Sequence, residues 1–157
     1  MRAERRRLWR RLGAFACVLG AASALALAVL RAQGPSEGPV PVTWDRTACH
    51  RCGMLVSDPA FAAQLHTPEG AVFYFDDPGC LLVHLHEARP EVHAVWLHHQ
   101  RDDRWLALDE SAFVFAEPTP MEYGLGVAEA GEVGSALSAE QATQHALQRD
   151  AARRGAL

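Results

Sequence analysis

The sequence contains no lysine, and all fifteen of its basic residues are arginines. Acidic residues outnumber them, so the formal net charge at pH 7 is −4. The chain therefore lacks the basic surplus of nucleic-acid-binding proteins. It also lacks a phosphate-binding G-x-x-x-x-G-K-[ST] loop, an HExxH helix and a Ser–His–Asp order. These absences argue against nucleic-acid partners and against the common hydrolases, and we expect a protein that is not an enzyme.

Cysteine and histidine are plentiful in comparison, with four and eight copies in 157 residues. Cys17 falls in an apolar N-terminal segment, which leaves Cys49, Cys52 and Cys80 for the rest of the chain. An odd number of thiols in an oxidising compartment leaves at least one unpaired, or commits several to a metal.

The N-terminal region has the pattern of a membrane anchor. Residues 1–11 hold six arginines and one acid, and residues 12–30 carry no charge. Nineteen helical residues span roughly 28 Å, close to the ~30 Å thickness of the hydrocarbon core. Basic residues stay on the cytoplasmic side, so we expect a single-pass anchor with the following domain outside. Ala26-Leu27-Ala28 leaves open that residues 12–30 are a cleaved signal peptide.

The remainder predicts a tether over residues 31–41 and an α+β domain over residues 42–157. Two short β-prone segments, 61–66 and 71–75, flank a four-residue turn and predict a hairpin. Asp77 is a good N-cap and Pro78 suits the first helical position, so a helix should follow and end near Arg89. With a strand over 92–98, this gives a strand–strand–helix–strand unit.

The second half is predicted to be a weaker copy of that unit. Segments 105–108 and 112–116 have the character of a strand pair, and 125–128 of one more strand. Ser138 and Gln141 have the spacing of a capping box, which predicts a C-terminal helix over about 138–154.

The most informative segment is Cys49-His50-Arg51-Cys52-Gly53-Met54. Thiolates and thioethers are soft ligands that select soft cations, Cu(I) above all. Two residues between the thiols let both sulfurs converge, and Gly53 allows a positive φ there. Met54 follows as a third candidate ligand. A structural disulfide, half of a zinc site and a redox pair remain open as alternatives.

Other side chains are weaker candidates. A thiolate at Cys80 would be stabilised by the helix N-terminus, and His84 lies one turn further on the same face. The alternative roles are a buried structural thiol for Cys80 and a surface imidazole for His84. Asp77 is explained by capping and Asp76 by the strand end, and we expect Asp76→Ala to leave Cu(I) binding intact. Met121, in a Pro-rich loop, is a candidate thioether ligand.

The histidines that lie outside these motifs carry no ligand pattern. His93, His98 and His99 have no thiol neighbour along the chain. We expect them at the surface.

Four segments, in order between Cys49 and Val127, resemble the NosL family of accessory proteins, regarded as Cu(I) chaperones for nitrous oxide reductase. They are Cys49-x-x-Cys52-Gly53-Met54, Ser57-Asp58-Pro59-Ala60-Phe61-Ala62-Ala63-Gln64, Phe75-Asp76-Asp77-x-Gly79-Cys80, and Thr119-Pro120-Met121 followed by a glycine. The resemblance implies a periplasmic, membrane-attached domain of two β-β-α-β units, similar to a domain of organomercurial lyase. It also implies Cu(I) ligands at Cys49, Cys52 and Met54, with Met121 as a candidate to complete the set.

The sequence thus favours an inner-membrane-anchored periplasmic Cu(I) chaperone that serves a client such as nitrous oxide reductase or its assembly machinery. We expect its site in an exposed loop, because transfer exchanges ligands one at a time. The alternative is a periplasmic thiol–disulfide oxidoreductase that uses Cys49 and Cys52. A third hypothesis is a scaffold stabilised by a Cys49–Cys52 or Cys49–Cys80 disulfide.

Overall fold

A computed structural model of the chain describes residues 20–23 and 34–155. Residues 20–23 are helical, and the chain from Pro35 onward forms one compact unit. The predicted cytoplasmic tail and nearly all of the predicted anchor lie outside the described residues. Among the residues that are described, no helix has the length and apolar character needed to cross a membrane.

The domain contains six strands and two longer helices within residues 34–155. The strands are β1 (Ala63–His66), β2 (Val72–Phe75), β3 (Ala94–His98), β4 (Trp105–Ala107), β5 (Ser111–Phe115) and β6 (Leu125–Glu129). The helices are α1 (Pro78–Ala88) and α2 (Ala139–Gly155), with short 3-10 turns at Pro59–Phe61 and Leu108–Glu110. The protein is therefore a mixed α+β fold, as predicted.

The strands form two antiparallel sheets. The first has the order β2-β1-β3-β4, and the second consists of β5 and β6 alone. In β1, Leu65 lies opposite Phe73 of β2 on one side and Val95 of β3 on the other. The predicted hairpin and the strand–strand–helix–strand order of the first unit are confirmed.

The predicted strand pair 105–108 and 112–116 is wrong as a pair. β4 extends the first sheet by pairing with β3, whereas β5 pairs with β6. The 3-10 turn Leu108–Glu110 separates them, and the Ser111 hydroxyl donates to the carbonyl of Ala107 at 2.7 Å. This turn directs β5 away from the first sheet. Within the described residues no strand follows α2, so the second unit is not a complete copy of the first.

Helix α1 lies at the centre of the core. Its first six residues are buried, and the Asp77 carboxylate accepts a hydrogen bond from the Gly79 amide at 2.8 Å, which confirms the predicted N-cap. Gly79 is required by packing, because a Cβ there would overlap the Tyr123 ring. Helix α2 packs on α1, and its Ala142 and Ala146 are buried in the same core.

Side-chain hydrogen bonds fix the start of α2 and the segment that leads into the domain. Ser138 and Gln141 exchange bonds of 2.9 and 3.2 Å, which confirms the predicted capping box at the start of α2. In the segment that leads into the domain, the backbone of Val40 exchanges two bonds with the buried Gln64 side chain, at 3.0 and 2.7 Å. The described chain is thus attached to β1 from the last residues of the predicted tether onward.

Candidate metal site

The loop from Cys49 to Met54, which we call the CxxC loop, is closed by its own backbone. The Cys49 amide donates to the Met54 carbonyl at 2.7 Å, and the Gly53 amide donates to the Cys49 carbonyl at 3.0 Å. Gly53 takes a φ of +77°, a conformation that glycine adopts without strain. The His50 amide also donates to the Tyr74 carbonyl at 2.8 Å, which attaches the loop to β2.

The end of β2 and the start of α1 supply the other half of the site. β2 ends at Phe75, so Asp76 occupies the junction between strand and helix, and Cys80 lies in the first turn of α1. Asp76 and Cys80 are 3% and 1% exposed. Asp76 thus follows the end of a strand, as predicted, and its side chain is held inside the protein.

The two halves bring four potential ligands together. One sulfur or carboxylate oxygen from each of Cys49, Cys52, Asp76 and Cys80 lies within 4.8 Å of all the others. In the described part of the chain this is the one group of three or more cysteine, histidine or acidic residues so arranged. Tetrahedral thiolates about 2.3 Å from a metal would be about 3.8 Å apart, so a small contraction closes the site. The group can hold a metal ion.

In the metal-free site, burial and hydrogen bonding shift the pKa values of the three cysteines in different directions. The hydrogen bond from Cys80 lowers the pKa of Cys49 to about 4, although burial opposes this. The same hydrogen bond raises the pKa of Cys80, and burial raises the pKa of Cys52 to about 12. A metal that binds all three sulfurs as thiolates must therefore displace the protons of Cys52 and Cys80.

The pKa of the fourth group, the Asp76 carboxyl, is shifted as well. Burial, followed by the neighbouring Cys49 thiolate, raises its pKa to about 7. The Cys52 thiol lies 3.4 and 3.5 Å from its two oxygens and donates to them. The carboxyl group can therefore take up or release a proton near neutral pH as the site changes its charge.

The predicted ligands have different surroundings. Cys49 and Cys52 belong to the four-residue group, as predicted. Met54 is 57% exposed, whereas Met121 is partly buried and packs against the same core as Cys52. The Met121 amide donates to the Asp77 carboxylate at 3.0 Å, which places its backbone next to the strand–helix junction. A thioether ligand at Met54 or Met121 remains a prediction.

Cys80 and Asp76 complete the group, and Asp76 was missed as a candidate. Asp76 and Cys80 are four residues apart, but Asp76 precedes the helix, so helical i,i+4 spacing could not indicate that the two side chains meet. Asp77 follows Asp76 directly, and the capping role of Asp77 concealed the different surroundings of its neighbour. Cys49, Cys52 and Cys80 are free thiols in the structure.

Two imidazoles lie beside the site. The ring centroids of His50 and His84 are 5.0 Å apart, edge to face. The His50 ring also stacks on Phe73 with a centroid distance of 4.2 Å. His84 thus contacts the CxxC loop through the His50 ring.

His98 and His99 are buried, so their predicted surface position is wrong. His99 is 1% exposed; its Nε2 lies 2.9 Å from a Glu132 oxygen, and its Nδ1 accepts from the amides of Arg101 and Asp102. His98 Nε2 lies 3.2 Å from an Asp103 oxygen. These polar partners satisfy the ring nitrogens and permit burial.

Four charged side chains, Arg51 of the CxxC loop with Glu87, Asp150 and Arg154, form a closed ring of ion pairs, which we call the ion-pair ring. Arg51 bonds Glu87 at 2.6 Å and Asp150 at 3.2 Å. Arg154 bonds the same two acids, at 2.9 and 2.7 Å. The ring joins the loop to the last turn of α1 and to helix α2. Asp150 also accepts a 2.8 Å hydrogen bond from the Tyr123 hydroxyl.

Comparisons of the chain with protein-family models, with curated proteins and with solved structures found no match. The case for a function therefore depends on the four-residue group and its surroundings.

Proposed function

We propose that the protein binds Cu(I) and delivers it to a client copper enzyme. The observation that carries the proposal is the convergence of three cysteine sulfurs and one carboxylate within 4.8 Å. A sulfur-rich donor set favours a soft monovalent cation over the hard cations that oxygen ligands select. Burial of Cys49, Asp76 and Cys80 also keeps water away from the cation.

The exposure of the ligands suits transfer through one side of the site. Cys52 is partly exposed, whereas the other three members of the group are almost fully buried. The site is thus less open than the exposed loop expected from the sequence. An incoming ligand from a client would meet Cys52 first and displace it before the buried sulfurs.

The cellular setting in this proposal comes from the sequence. The uncharged segment 12–30 and the resemblance to the NosL family support a periplasmic domain attached to the inner membrane, with nitrous oxide reductase or its assembly machinery as a candidate client. In this role the protein is a carrier and not an enzyme.

Anaerobic titration of the reduced full-length chain with Cu(I), against a chromophoric chelator, tests the binding step. We expect tight stoichiometric Cu(I) binding and weaker Zn(II) binding in a parallel titration. Cys49→Ser and Cys52→Ser should abolish tight Cu(I) binding, whereas Cys17→Ser, in the predicted anchor, is the matched control and should leave it unchanged. Stoichiometric binding retained in the Cys49→Ser/Cys52→Ser double variant would refute the proposal.

The delivery step needs its own experiment. The Cu(I)-loaded protein should transfer its metal to copper-free nitrous oxide reductase faster than a small-molecule Cu(I) complex of equal affinity does. Equal rates for the two donors would refute the chaperone role, and Cu(I) storage would be the remaining function.

A thiol–disulfide oxidoreductase is the second candidate function. It is favoured by the pKa of Cys49, which the hydrogen bond from Cys80 lowers to about 4, because attacking redox thiols are ionised at neutral pH. Cys49 is only 3% exposed, however, so a protein substrate could not reach its sulfur without movement of the CxxC loop. Exchange with a model disulfide no faster than that of a free dithiol would exclude this activity.

A further inference from the structure

The burial of the ligands sets a requirement for metal exchange. Cys49, Asp76 and Cys80 are 3% or less exposed, and Cys52 alone of the four is partly exposed. Metal exchange can begin at Cys52, but release from the three buried ligands requires a wall of the site to move. The CxxC loop supplies two of the four ligands and is not part of a helix or a strand, whereas Asp76 and Cys80 are fixed at the short junction between β2 and α1. The loop is therefore the element that we expect to move.

The ion-pair ring opposes this movement at a single residue of the loop. Arg51 lies between the two cysteines of the loop, and its guanidinium group bonds Glu87 of α1 and Asp150 of α2. An outward movement of the loop must break both contacts. The loop is also held by its internal backbone bonds, by the bond from the His50 amide to Tyr74, by the stacking of His50 on Phe73 and by the Cys52–Asp76 hydrogen bonds, none of which Arg51 makes.

We propose that Arg51 is a positioning residue which, through its bond to Asp150, sets how often the CxxC loop opens and hence how fast the metal exchanges. The part of this inference that concerns metal rests on the proposed function. The part that concerns loop opening does not, because the ring is present in the metal-free chain.

The two halves of the ring contribute unequally. The side chains of Arg51 and Asp150 are 15% and 13% exposed, whereas those of Glu87 and Arg154 are 42% and 61% exposed. Ion pairs between exposed side chains contribute little, and those in partly buried positions contribute more because water competes less. The Tyr123 hydroxyl also holds the Asp150 carboxylate in place, at 2.8 Å. We therefore expect the more buried Arg51–Asp150 contact to restrain the loop more than the exposed contacts of the ring do.

Hydrogen exchange followed by mass spectrometry on the metal-free, reduced full-length chain tests loop opening directly. In Arg51→Gln and Asp150→Asn, the amides of the CxxC loop should exchange about tenfold faster or more, the factor expected for loss of a hydrogen bond to a charged group. The amides of β1 should keep their wild-type exchange rates. Arg154→Gln should accelerate loop exchange by less than about threefold, because its side chain is mostly exposed.

Arg149→Gln is the matched control. Arg149 is on the same helix and pairs with the exposed Glu117 at 3.2 Å, without a contact to the loop. Its loop exchange should equal that of the wild type. Unchanged loop exchange in both Arg51→Gln and Asp150→Asn would overturn the proposal. Equal acceleration of loop and β1 amides would also overturn it, since that result indicates loss of global stability.

The Arg51→Gln/Asp150→Asn double variant tests whether the two residues act together. Its loop exchange should be no faster than that of the faster single variant, and multiplied effects of the two changes would count against direct coupling. In the metal-loaded chain, the same variants should release Cu(I) to a chelator faster with little change in affinity. Failure of the wild type to bind Cu(I) would refute the proposed function, and the metal-free exchange results would still decide the role of Arg51.

Discussion

The Asp77 carboxylate accepts a hydrogen bond from the amide of Met121, 44 positions further along the chain, at 3.0 Å. Its other oxygen accepts from the Gly79 amide at 2.8 Å and caps α1. One fully buried carboxylate therefore fixes both the helix that carries Cys80 and the loop that carries the candidate ligand Met121.

Asp77→Ala should lower the free energy of unfolding by about 2 kcal/mol or more, because it removes a helix cap and leaves the buried Gly79 amide and the partly buried Met121 amide without an acceptor. Chemical denaturation monitored by circular dichroism measures the change. Asp77→Asn keeps one oxygen acceptor and should cost less than Asp77→Ala. Equal stability of the alanine variant and the wild type would contradict this account.

Cys80→Ser should weaken Cu(I) binding by about tenfold or more, although the CxxC pair is intact, because the third sulfur is lost. The competition titration that tests Cys49 and Cys52 measures this effect, with Cys17→Ser again as the control. An unchanged affinity would reduce the site to the two loop thiols and leave Cys80 as a core residue.

Substitution of Asp76 should lower the affinity for Zn(II) more than the affinity for Cu(I). In Asp76→Asn, Zn(II) affinity should fall about tenfold or more, because a four-coordinate zinc site loses an oxygen ligand. Cu(I) affinity should change little, because the three sulfurs remain. Parallel Cu(I) and Zn(II) titrations give both values. An equal loss for both metals would show that Asp76 acts by shaping the site and not by selecting the cation.

Asp76 should also make the metal-free protein less stable as the pH rises from about 4 to about 7. Burial raises its folded-state pKa to about 7 from an ordinary value of 3.8. Between those values the folded carboxyl keeps a proton that the unfolded one has released, so the free energy of unfolding falls with rising pH. Cys49 contributes the opposite slope, because its folded-state pKa is lowered.

Comparison of the wild type with Asp76→Asn isolates this contribution. Denaturation of both proteins at several pH values, with reductant and chelator present, should give a stability difference that changes by a few kcal/mol between pH 4 and pH 7. Parallel stability curves across that interval would show that Asp76 is ionised in the folded protein throughout.

His99→Ala should destabilise the protein by about 2 kcal/mol or more, because the buried ring accepts from two backbone amides and contacts Glu132. His93→Ala is the matched control, since His93 is exposed, and should change stability by less than about 0.5 kcal/mol. Thermal and chemical denaturation of the two variants separate these cases. Similar losses in both would contradict the structural difference between them.

The elements of the first unit could be predicted because their signals are local. The turn between the two β-prone segments, the Asp77 cap and Pro78 each act within a few residues, and the structure has the hairpin and α1 where the sequence indicated them. The capping box at Ser138 is of the same kind. Such turns and caps can be predicted from the sequence without knowing which residues pack against them.

The pairing of β4 and the burial of the histidines depend on distant contacts. Three residues separate β4 from β5 in sequence, but β4 pairs with β3 and β5 pairs with β6. His99 is buried because Glu132, 33 positions away, satisfies its ring. No pattern near either position indicated these contacts.

The site was partly predictable for the same reason. The spacing of Cys49 and Cys52 is a local motif, whereas the inclusion of Asp76 depends on how the strand–helix junction faces the CxxC loop. Cys80 was a candidate from its helix position alone, and its place beside Cys49 follows from packing between elements about thirty residues apart.

The order of the ligands along the chain has a consequence for biosynthesis. All four members of the group lie between residues 49 and 80, whereas Asp150, which restrains the loop through Arg51, comes near the C-terminal end. At ~5–20 residues per second, the seventy positions from Cys80 to Asp150 take about 4 to 14 s to synthesise. During that interval the growing chain has every ligand of the site and not yet the helix that holds the loop in place. Metal captured then would be enclosed by the arrival of α2, whereas metal captured by the finished protein must first displace the loop.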